Sequence, residues 1–260
     1  MKKIILLFIF VTTTHSFAQL QKGIIYYGEI NALQSGDAKG TDSNAYMVFN
    51  KNQSYYVTAK DSLEKAEKMN EEKTYLNDDK GGSIYLGTKV SKQGDQVVYN
   101  IAKKTMWSNL FLGKQFYIKE ITPKMNWKIE KETKKIGSFI CKKATSFFRG
   151  RNYIAWFTTE IALPFGPWKL NGLPGIILEA YDTNKHIYWY FKSIEYPTKI
   201  KENVKYISTP KGIAFKSFDE FKLFQQEQID VTIDKQRIAQ KRFPNVIFID
   251  PKISEQFIEF

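Results

Sequence analysis

Apolar and polar residues alternate along most of this chain, and short polar turns separate the alternating runs. Successive side chains of a strand point to opposite faces, so this pattern predicts strands that each bury one face. Residues 45–49 and 55–59 flank the polar run 50–53 and are typical of a hairpin. Gly137 is predicted to mark a turn or a bulge. Further strands are predicted at residues 24–28, 83–90, 96–102, 115–121, 127–132, 139–148, 153–158, 176–181 and 187–194.

Helical patterns are few and lie late in the chain. Ser217 and Glu220 have the spacing of a capping box, which predicts a helix over 217–228. A second, short helix is predicted over 234–242, and the proline that follows would end it. Residues 62–73 are polar and predict a surface helix or a loop. The fold class predicted is mainly β, α+β at the margin: an antiparallel, strongly curved sheet or half-barrel with one or two helices late in the chain.

The first eighteen residues predict a signal peptide. Lys2 and Lys3 precede the apolar run 4–11, which is too short to cross a bilayer. Residues 16–18 (Ser-Phe-Ala) fit a cleavage site that leaves Gln19 as the mature N-terminus. We therefore expect an exported protein, periplasmic or extracellular, with no transmembrane span in the mature chain.

The mature chain, residues 19–260, is expected to form a single β-rich domain, because no repeat or low-complexity linker divides it. Its one cysteine, Cys141, cannot form an intramolecular disulfide, so the fold must depend on its core. That core is expected in the middle of the chain, which contains all the tryptophans: Trp107, Trp127, Trp156, Trp168 and Trp189.

The chain is basic, with a formal net charge of +12. The lysines and arginines are spread along the chain and fit no nucleic-acid-binding module, so no nucleic-acid partner is predicted. For an exported protein the suitable anions are phospholipid head groups, lipopolysaccharide or an acidic partner. A solvated surface of mixed charge is the interpretation that we favour.

Residues 166–177 read Gly-Pro-Trp-Lys-Leu-Asn-Gly-Leu-Pro-Gly-Ile-Ile, and so many glycines and prolines specify one loop shape. The run lacks the Gly-x-x-x-x-Gly-Lys-Ser/Thr pattern of a phosphate-binding loop and leads into a strand pattern. Two interpretations remain open. Gly172 and Gly175 let the backbone approach a ligand, or Pro174 and the glycines place the next strand in the core.

Three segments precede this loop in a set order: residues 141–144 (Cys-Lys-Lys-Ala), 148–151 (Phe-Arg-Gly-Arg) and 155–158 (Ala-Trp-Phe-Thr). With these segments and its Gly-Leu-Pro-Gly-Ile-Ile motif, the chain resembles the GLPGLI family of exported envelope proteins of Gram-negative bacteria. Ile176 stands where the family motif has leucine, a change that conserves volume. The resemblance implies an envelope protein that works beside outer-membrane uptake or secretion machinery, and it implies no catalytic residues.

Aromatic side chains and the turn arginines supply the candidate binding site. Arg149 and Arg151 bracket a predicted turn, where they either clamp a carboxylate or phosphate or form a solvated tip. Tryptophans near the motif either line an apolar groove or fill the core. The binding residues predicted are Trp156, Trp168, Arg149, Arg151, Gly172, Leu173, Pro174 and Gly175.

Catalytic alternatives are weaker. Cys141 and His186 form a dyad only if the fold brings them together; otherwise Cys141 is a small core residue. Carboxylates for a hydrolase are Glu160, Glu179 and Asp182. No metal-ligand spacing is present, so no metal and no cofactor is predicted.

The sequence thus favours an exported, non-enzymatic binding or accessory protein of the cell envelope. Its ligand would be a lipid, a peptide or a partner protein, and its partner an outer-membrane protein complex or a hydrophobic small molecule. A thiol-dependent or carboxylate-dependent hydrolase and a structural envelope component are the alternatives.

Overall fold

The computed structural model describes residues 21–33, 41–58, 94–112, 114–199, 207, 209 and 211–260. The predicted signal peptide, the predicted strand 83–90 and the polar segment 62–73 lie outside the described residues.

Within those ranges the chain forms eleven strands and two helices. The strands are β1 (Lys22–Asn31), β2 (Thr41–Asn50), β3 (Gln53–Thr58), β4 (Gln96–Asn100), β5 (Thr105–Phe111), β6 (Gln115–Ile121), β7 (Lys128–Ile136), β8 (Phe139–Phe148), β9 (Arg151–Thr158), β10 (Ile176–Asp182) and β11 (Ile187–Glu195), and the helices are α1 (Phe218–Arg242) and α2 (Ile253–Gln256).

All of these strands join one antiparallel sheet in the order β6-β5-β4-β3-β2-β1-β11-β10-β9-β8-β7. Every strand pairs with a neighbour in sequence except where β1 pairs with β11, with Ile24 opposite Glu195. The fold is therefore two meanders, β1–β6 and β7–β11, joined through β1 and β11. The prediction of a mainly β, antiparallel fold with helices late in the chain is confirmed, and the sheet is not closed.

The sheet curls strongly, so that its two edge strands approach each other. A flat sheet would hold β6 and β7 about 48 Å apart, since ten strand spacings of about 4.8 Å separate them. The link between Ile121 at the end of β6 and Lys128 at the start of β7 can span at most about 25 Å. An ion pair also joins Glu120 of β6 to Arg149 in the β8–β9 turn. Only a curled sheet satisfies both constraints.

The β9–β10 loop, residues 159–175, fills the inside of this curl. Its Phe165 ring lies 5.7 Å from the ring of Tyr99 on β4, in the first meander. Its Trp168 ring stacks on Trp189 of β11, in the second meander, at 5.9 Å and 12°. One loop thus contacts both halves of the sheet and forms a single core with them.

Helix α1 begins as predicted. The Ser217 hydroxyl accepts a hydrogen bond from the Glu220 backbone N–H at 3.1 Å, and the Glu220 carboxylate accepts one from the Ser217 backbone N–H at 2.7 Å. Phe221 then packs on Phe116 of β6, with the ring centroids 5.5 Å apart. The predicted helices 217–228 and 234–242 form one continuous helix, because residues 229–233 contain neither glycine nor proline to end it, so the predicted break between them is wrong.

Among the described residues, no helix has the combination of length and apolar character that crossing a bilayer requires.

Candidate functional site

The Gly-Leu-Pro-Gly-Ile-Ile motif shapes the core. Leu173 is buried, and a Cβ added to Gly175 would lie 2.0 Å from the backbone oxygen of Thr158, so only glycine fits there. Gly172 has φ +90° and no atom within 4 Å of an added Cβ, while Pro174 is exposed. The motif sets the path of the chain into β10, with Gly172 and Pro174 at the surface.

The two tryptophans predicted to bind ligand are both buried. Trp168 packs against Trp189 and, at 6.2 Å, against Tyr153 of β9. Trp156 lies three residues after Tyr153 on the same strand and therefore faces the other side of the sheet. There the ammonium group of Lys134 lies 4.4 Å from its ring centroid. The structure does not bring Trp156 and Trp168 together in one groove.

Arg151 is not at a solvated turn, because its guanidinium is buried against the Asp182 carboxylate and the backbone of residues 254–258. Its guanidinium donates to Asp182 at 3.1 Å and to the backbone oxygens of Phe257 at 2.8 Å and Ile258 at 3.0 Å, and also to Ser254. The side chain is 2% exposed. Residues 253–260, which we call the closing segment, are thereby fixed to the first residue of β9.

Arg149 belongs to a second buried cluster, which we call the ion-pair network. The Lys169 ammonium lies 2.7 Å from Glu259 and 2.8 Å from Glu120, and Arg149 pairs with Glu120 and lies 3.9 Å from Glu259. Burial raises the pKa of Glu259, while the Lys169 charge lowers it. Two cations balance two carboxylates, so the network holds the closing segment against the curled sheet.

Cys141 and His186 lie at opposite ends of the second meander. Across the sheet, Ser146 of β8 is level with Tyr153 and with Asp182, and His186 follows Asp182 in the next turn. Cys141 lies five residues back along β8, roughly 17 Å from that level. Burial raises the pKa of its thiol to about 11, so the register and the protonation state both argue against a dyad.

The carboxylates proposed from the sequence have structural partners. Glu179 pairs with Lys134 at 2.6 Å, Asp182 binds Arg151, and Glu160 accepts a hydrogen bond from the backbone of Ile140 at 3.3 Å. No three histidine, cysteine, aspartate or glutamate side chains are grouped as metal ligands in the part of the chain that the structure describes.

A different carboxylate, Asp95, lines a cavity of about 200 Å³ between the sheet and the closing segment. Asp95 lies just before β4, and its carboxylate accepts a hydrogen bond from the backbone N–H of Phe111 at 3.0 Å. Burial, with a smaller contribution from the nearby charge of Glu29, raises the pKa of Asp95 to about 7, although the hydrogen bond from Phe111 lowers it. The other residues lining the cavity are Asn31, Leu33, Leu110, Phe111, Leu112, Phe221, Gln225, Gln256, Phe257 and Ile258.

Glu29 is a buried carboxylate with three hydrogen-bond donors. It accepts from the Tyr56 hydroxyl at 2.6 Å, from the Trp189 indole N–H at 3.1 Å and from the Thr58 hydroxyl. The Thr58 backbone N–H also donates to the backbone oxygen of Asp95 at 2.9 Å. Thr58 therefore links the Glu29 carboxylate to the backbone of Asp95.

Gln225 of α1 lines the same cavity, is 1% exposed and has an unpaired oxygen. Its amide nitrogen donates to the backbone oxygen of Glu259 at 2.7 Å. A backbone oxygen only accepts hydrogen bonds, so this contact fixes the orientation of the amide. The other amide atom, Oε1, has no hydrogen-bond partner among the described residues. Buried acceptors are normally hydrogen-bonded, and a ligand that donates a hydrogen bond would satisfy this oxygen.

Solved structures of PNGF-II, in space groups P21 and C2, are similar in fold to this chain. The first gives a TM-score of 0.50 at 14% identity and covers 78% of this chain and 32% of the PNGF-II chain. The second gives 0.47 at 14% identity, over 70% and 28%. This chain thus spans about a third of the length of the PNGF-II chains that it matches. At such identity the likeness shows the fold alone.

Neither a protein-family model nor a curated protein matches the sequence.

Proposed function

We propose that this chain is an exported, non-enzymatic binding protein of the cell envelope, of the GLPGLI type, and that the Asp95 cavity receives a primary amine of a peptide or partner protein. The observation that carries this proposal is that Asp95 and Gln225 line the same partly enclosed cavity, and that the Gln225 amide oxygen has no hydrogen-bond partner among the described residues. The predicted signal peptide supports export, and the order of the motifs supports the GLPGLI type.

The polar lining of the cavity matches an ammonium group. Asp95 provides a carboxylate, Gln225 provides a neutral acceptor, and Glu29 behind them adds a second negative charge. An ammonium group has three donors and no acceptor, so it satisfies such a set of acceptors without leaving a lone pair facing another lone pair. A phosphate or carboxylate ligand would meet repulsion there.

The size of the cavity favours one side chain over a whole lipid. A volume of about 200 Å³ corresponds to roughly seven water molecules at about 30 Å³ each. Pockets for drug-sized ligands have about 300–1,000 Å³. Leu33, Leu110 and Phe257 supply apolar walls suited to the methylene stem of a lysine.

Binding of an amine to Asp95 should depend on pH. The ionised carboxylate is the form that attracts an ammonium, and with a pKa of about 7 only roughly 1% is ionised at pH 5 and about nine-tenths at pH 8. We expect the affinity to rise by up to about 100-fold between these pH values. Nuclear magnetic resonance titration of the protein from Gln19 with Nα-acetyl-lysine methylamide measures this rise.

Matched probes and variants separate the ammonium from the rest of the ligand. Nα-acetyl-norleucine methylamide has the same carbon chain without the ammonium and should bind at least tenfold more weakly. Asp95→Asn should weaken lysine binding by about tenfold or more, whereas Asp42→Asn, at an exposed carboxylate on β2, should leave it unchanged. Equal binding of the two probes would show that the cavity takes a hydrophobic small ligand instead. Binding of neither would leave a structural envelope component.

A carboxylate-dependent hydrolase is a second candidate, because burial raises the pKa of Asp95 to about 7, a value that suits a general base near neutral pH. Turnover of chromogenic amide or glycoside substrates that disappears in Asp95→Asn would support this function over simple binding.

A further inference from the structure

A second surface, separate from the Asp95 cavity, lies at the far end of α1. The buried residues of this helix are Phe221, Gln225 and Ile229, all in its first half. The following thirteen residues, to Arg242, include none and extend about 20 Å at 1.5 Å per residue. The second half of α1 therefore projects away from the sheet.

Residues 243–249 fold back along this projecting half. The Gln236 amide donates to the backbone oxygen of Ile249 at 3.2 Å, and the Gln240 amide donates to that of Pro244 at 3.1 Å. These contacts use the backbone of the returning segment, and all of its side chains except that of Phe248 are exposed. We call residues 235–249 the helix-end surface.

Apolar side chains are concentrated on the helix-end surface. Ile247 is 89% exposed and Ile249 is 81% exposed, and Ile238, Phe243 and Val246 are exposed as well. Single exposed apolar residues are ordinary, but five within fifteen consecutive positions form a patch that marks an interaction site.

The same surface is basic. Residues 235–249 contain Lys235, Arg237, Lys241 and Arg242, all exposed, and no aspartate or glutamate. Asp234, just outside, pairs with Arg237 at 3.2 Å, but both side chains are about 70% exposed and such a pair is weak. The other three cations have no ion-pair partner among the described residues.

We propose that the helix-end surface docks this protein onto an anionic lipid membrane, with the basic side chains at the head groups and the isoleucines and Phe243 in the interface. Lysine and arginine beside exposed isoleucine and phenylalanine are typical of helices that lie in a membrane interface. The attraction is electrostatic, and the apolar side chains strengthen it.

Other occupants fit the surface less well. A symmetric contact with a second copy would bring four cations against four cations, which is repulsive. The core of a protein interface is depleted in charged residues, especially lysine, whereas here lysines and apolar side chains are mixed within one short segment. A membrane also needs no pocket of matching shape, and side chains as exposed as Ile247 and Ile249 form none.

Vesicle co-sedimentation tests the proposal, with protein that begins at Gln19. We expect binding to mixed phosphatidylglycerol–phosphatidylcholine vesicles and little to pure phosphatidylcholine. Replacing the four cations together, by Lys235→Gln, Arg237→Gln, Lys241→Gln and Arg242→Gln, should weaken binding by about fivefold per charge, several hundred-fold in all. Raising the salt concentration should weaken the wild type in the same direction.

The control removes the same charge elsewhere, at four exposed lysines of β7 and β8: Lys128→Gln, Lys131→Gln, Lys135→Gln and Lys142→Gln. It should change binding far less. An equal loss in the control would show attraction by net charge alone and would overturn the proposal.

The apolar part has its own test. Ile247→Ser with Ile249→Ser should weaken vesicle binding at constant charge, whereas Ile121→Ser with Ile140→Ser, also exposed, should not. Circular dichroism and thermal unfolding verify that each variant folds. Folded wild-type protein that fails to sediment with anionic vesicles, or that dimerises through this surface in analytical ultracentrifugation, refutes membrane docking.

Discussion

At Asp95, burial and the neighbouring Glu29 charge both favour the neutral acid. The pKa in the folded state, about 7, lies above the ordinary value of 3.8, so the folded protein binds this proton more tightly than the unfolded chain does. The contribution of Asp95 to the free energy of unfolding is therefore fully present below pH 4 and is lost as the pH rises through 7. Asp95 is partly exposed, which reduces the effect.

We expect the free energy of unfolding to fall by about 2 kcal/mol between pH 5 and pH 7.5 because of this residue. Urea unfolding of the wild type and of Asp95→Asn at both pH values measures the difference. The variant should lose this part of the pH dependence. If the two proteins keep parallel profiles, Asp95 titrates normally in the fold.

The sequence did not identify Asp95 as a site residue. It follows Gln93-Gly94 and has the composition of a hairpin turn, so no local pattern marks it. Its environment comes from β1, β5, α1 and the closing segment, which lie far apart in sequence. For Arg149 and Arg151 the turn position left two interpretations open, an anion clamp or a solvated tip. Their carboxylate partners Glu120 and Asp182 lie on distant strands, and further contacts come from the closing segment, so no local pattern could decide between the two.

Among the connecting elements, the β9–β10 loop has the strictest steric requirement. We expect Gly175→Ala to destabilise the fold by about 3 kcal/mol or more, because the new Cβ would overlap the Thr158 backbone oxygen. Gly172→Ala should cost about 1 kcal/mol, since it strains φ at +90° but meets no atom. Thermal unfolding of the two variants compares them directly. Equal losses would mean that backbone conformation alone, and no close approach, requires glycine in this loop.

Most strands were predictable because each buries one face. Residues 139–148 were predicted as a strand and form β8 with the same bounds, where buried and exposed side chains largely alternate. Strand β5 was not predicted, because Ser108, Asn109 and Leu110 are buried in succession and the alternation disappears. The length of α1 also exceeded the prediction, since its second half lacks the apolar stripe that marks a packed helix.

At the scale of the whole molecule, the ion-pair network joins β6, the β8–β9 turn, the β9–β10 loop and the closing segment. Lys169→Met would leave Glu120 and Glu259 close together, with only Arg149 between them. We expect a loss of about 3–5 kcal/mol in the free energy of unfolding, because a buried carboxylate loses its partner.

Two controls accompany this prediction, measured by urea unfolding. Lys252→Met removes an exposed ion pair with Glu255 and should change stability by less than about 1 kcal/mol. Adding Glu259→Gln to Lys169→Met should recover part of the loss, since the unpaired charge is then neutral. Strictly additive losses would show that Lys169 contributes through packing alone.

The pairing of β1 with β11 has a consequence for how this chain folds. Every other strand pair joins strands that follow one another in the described part of the chain, but this one brings Ile24 to Glu195 across most of the chain. Closing so long a segment costs entropy before any contact compensates for it. Each meander can therefore form early, and the pairing of β1 with β11 is the slow step. Until these two strands pair, their unpaired edges are exposed and prone to aggregation.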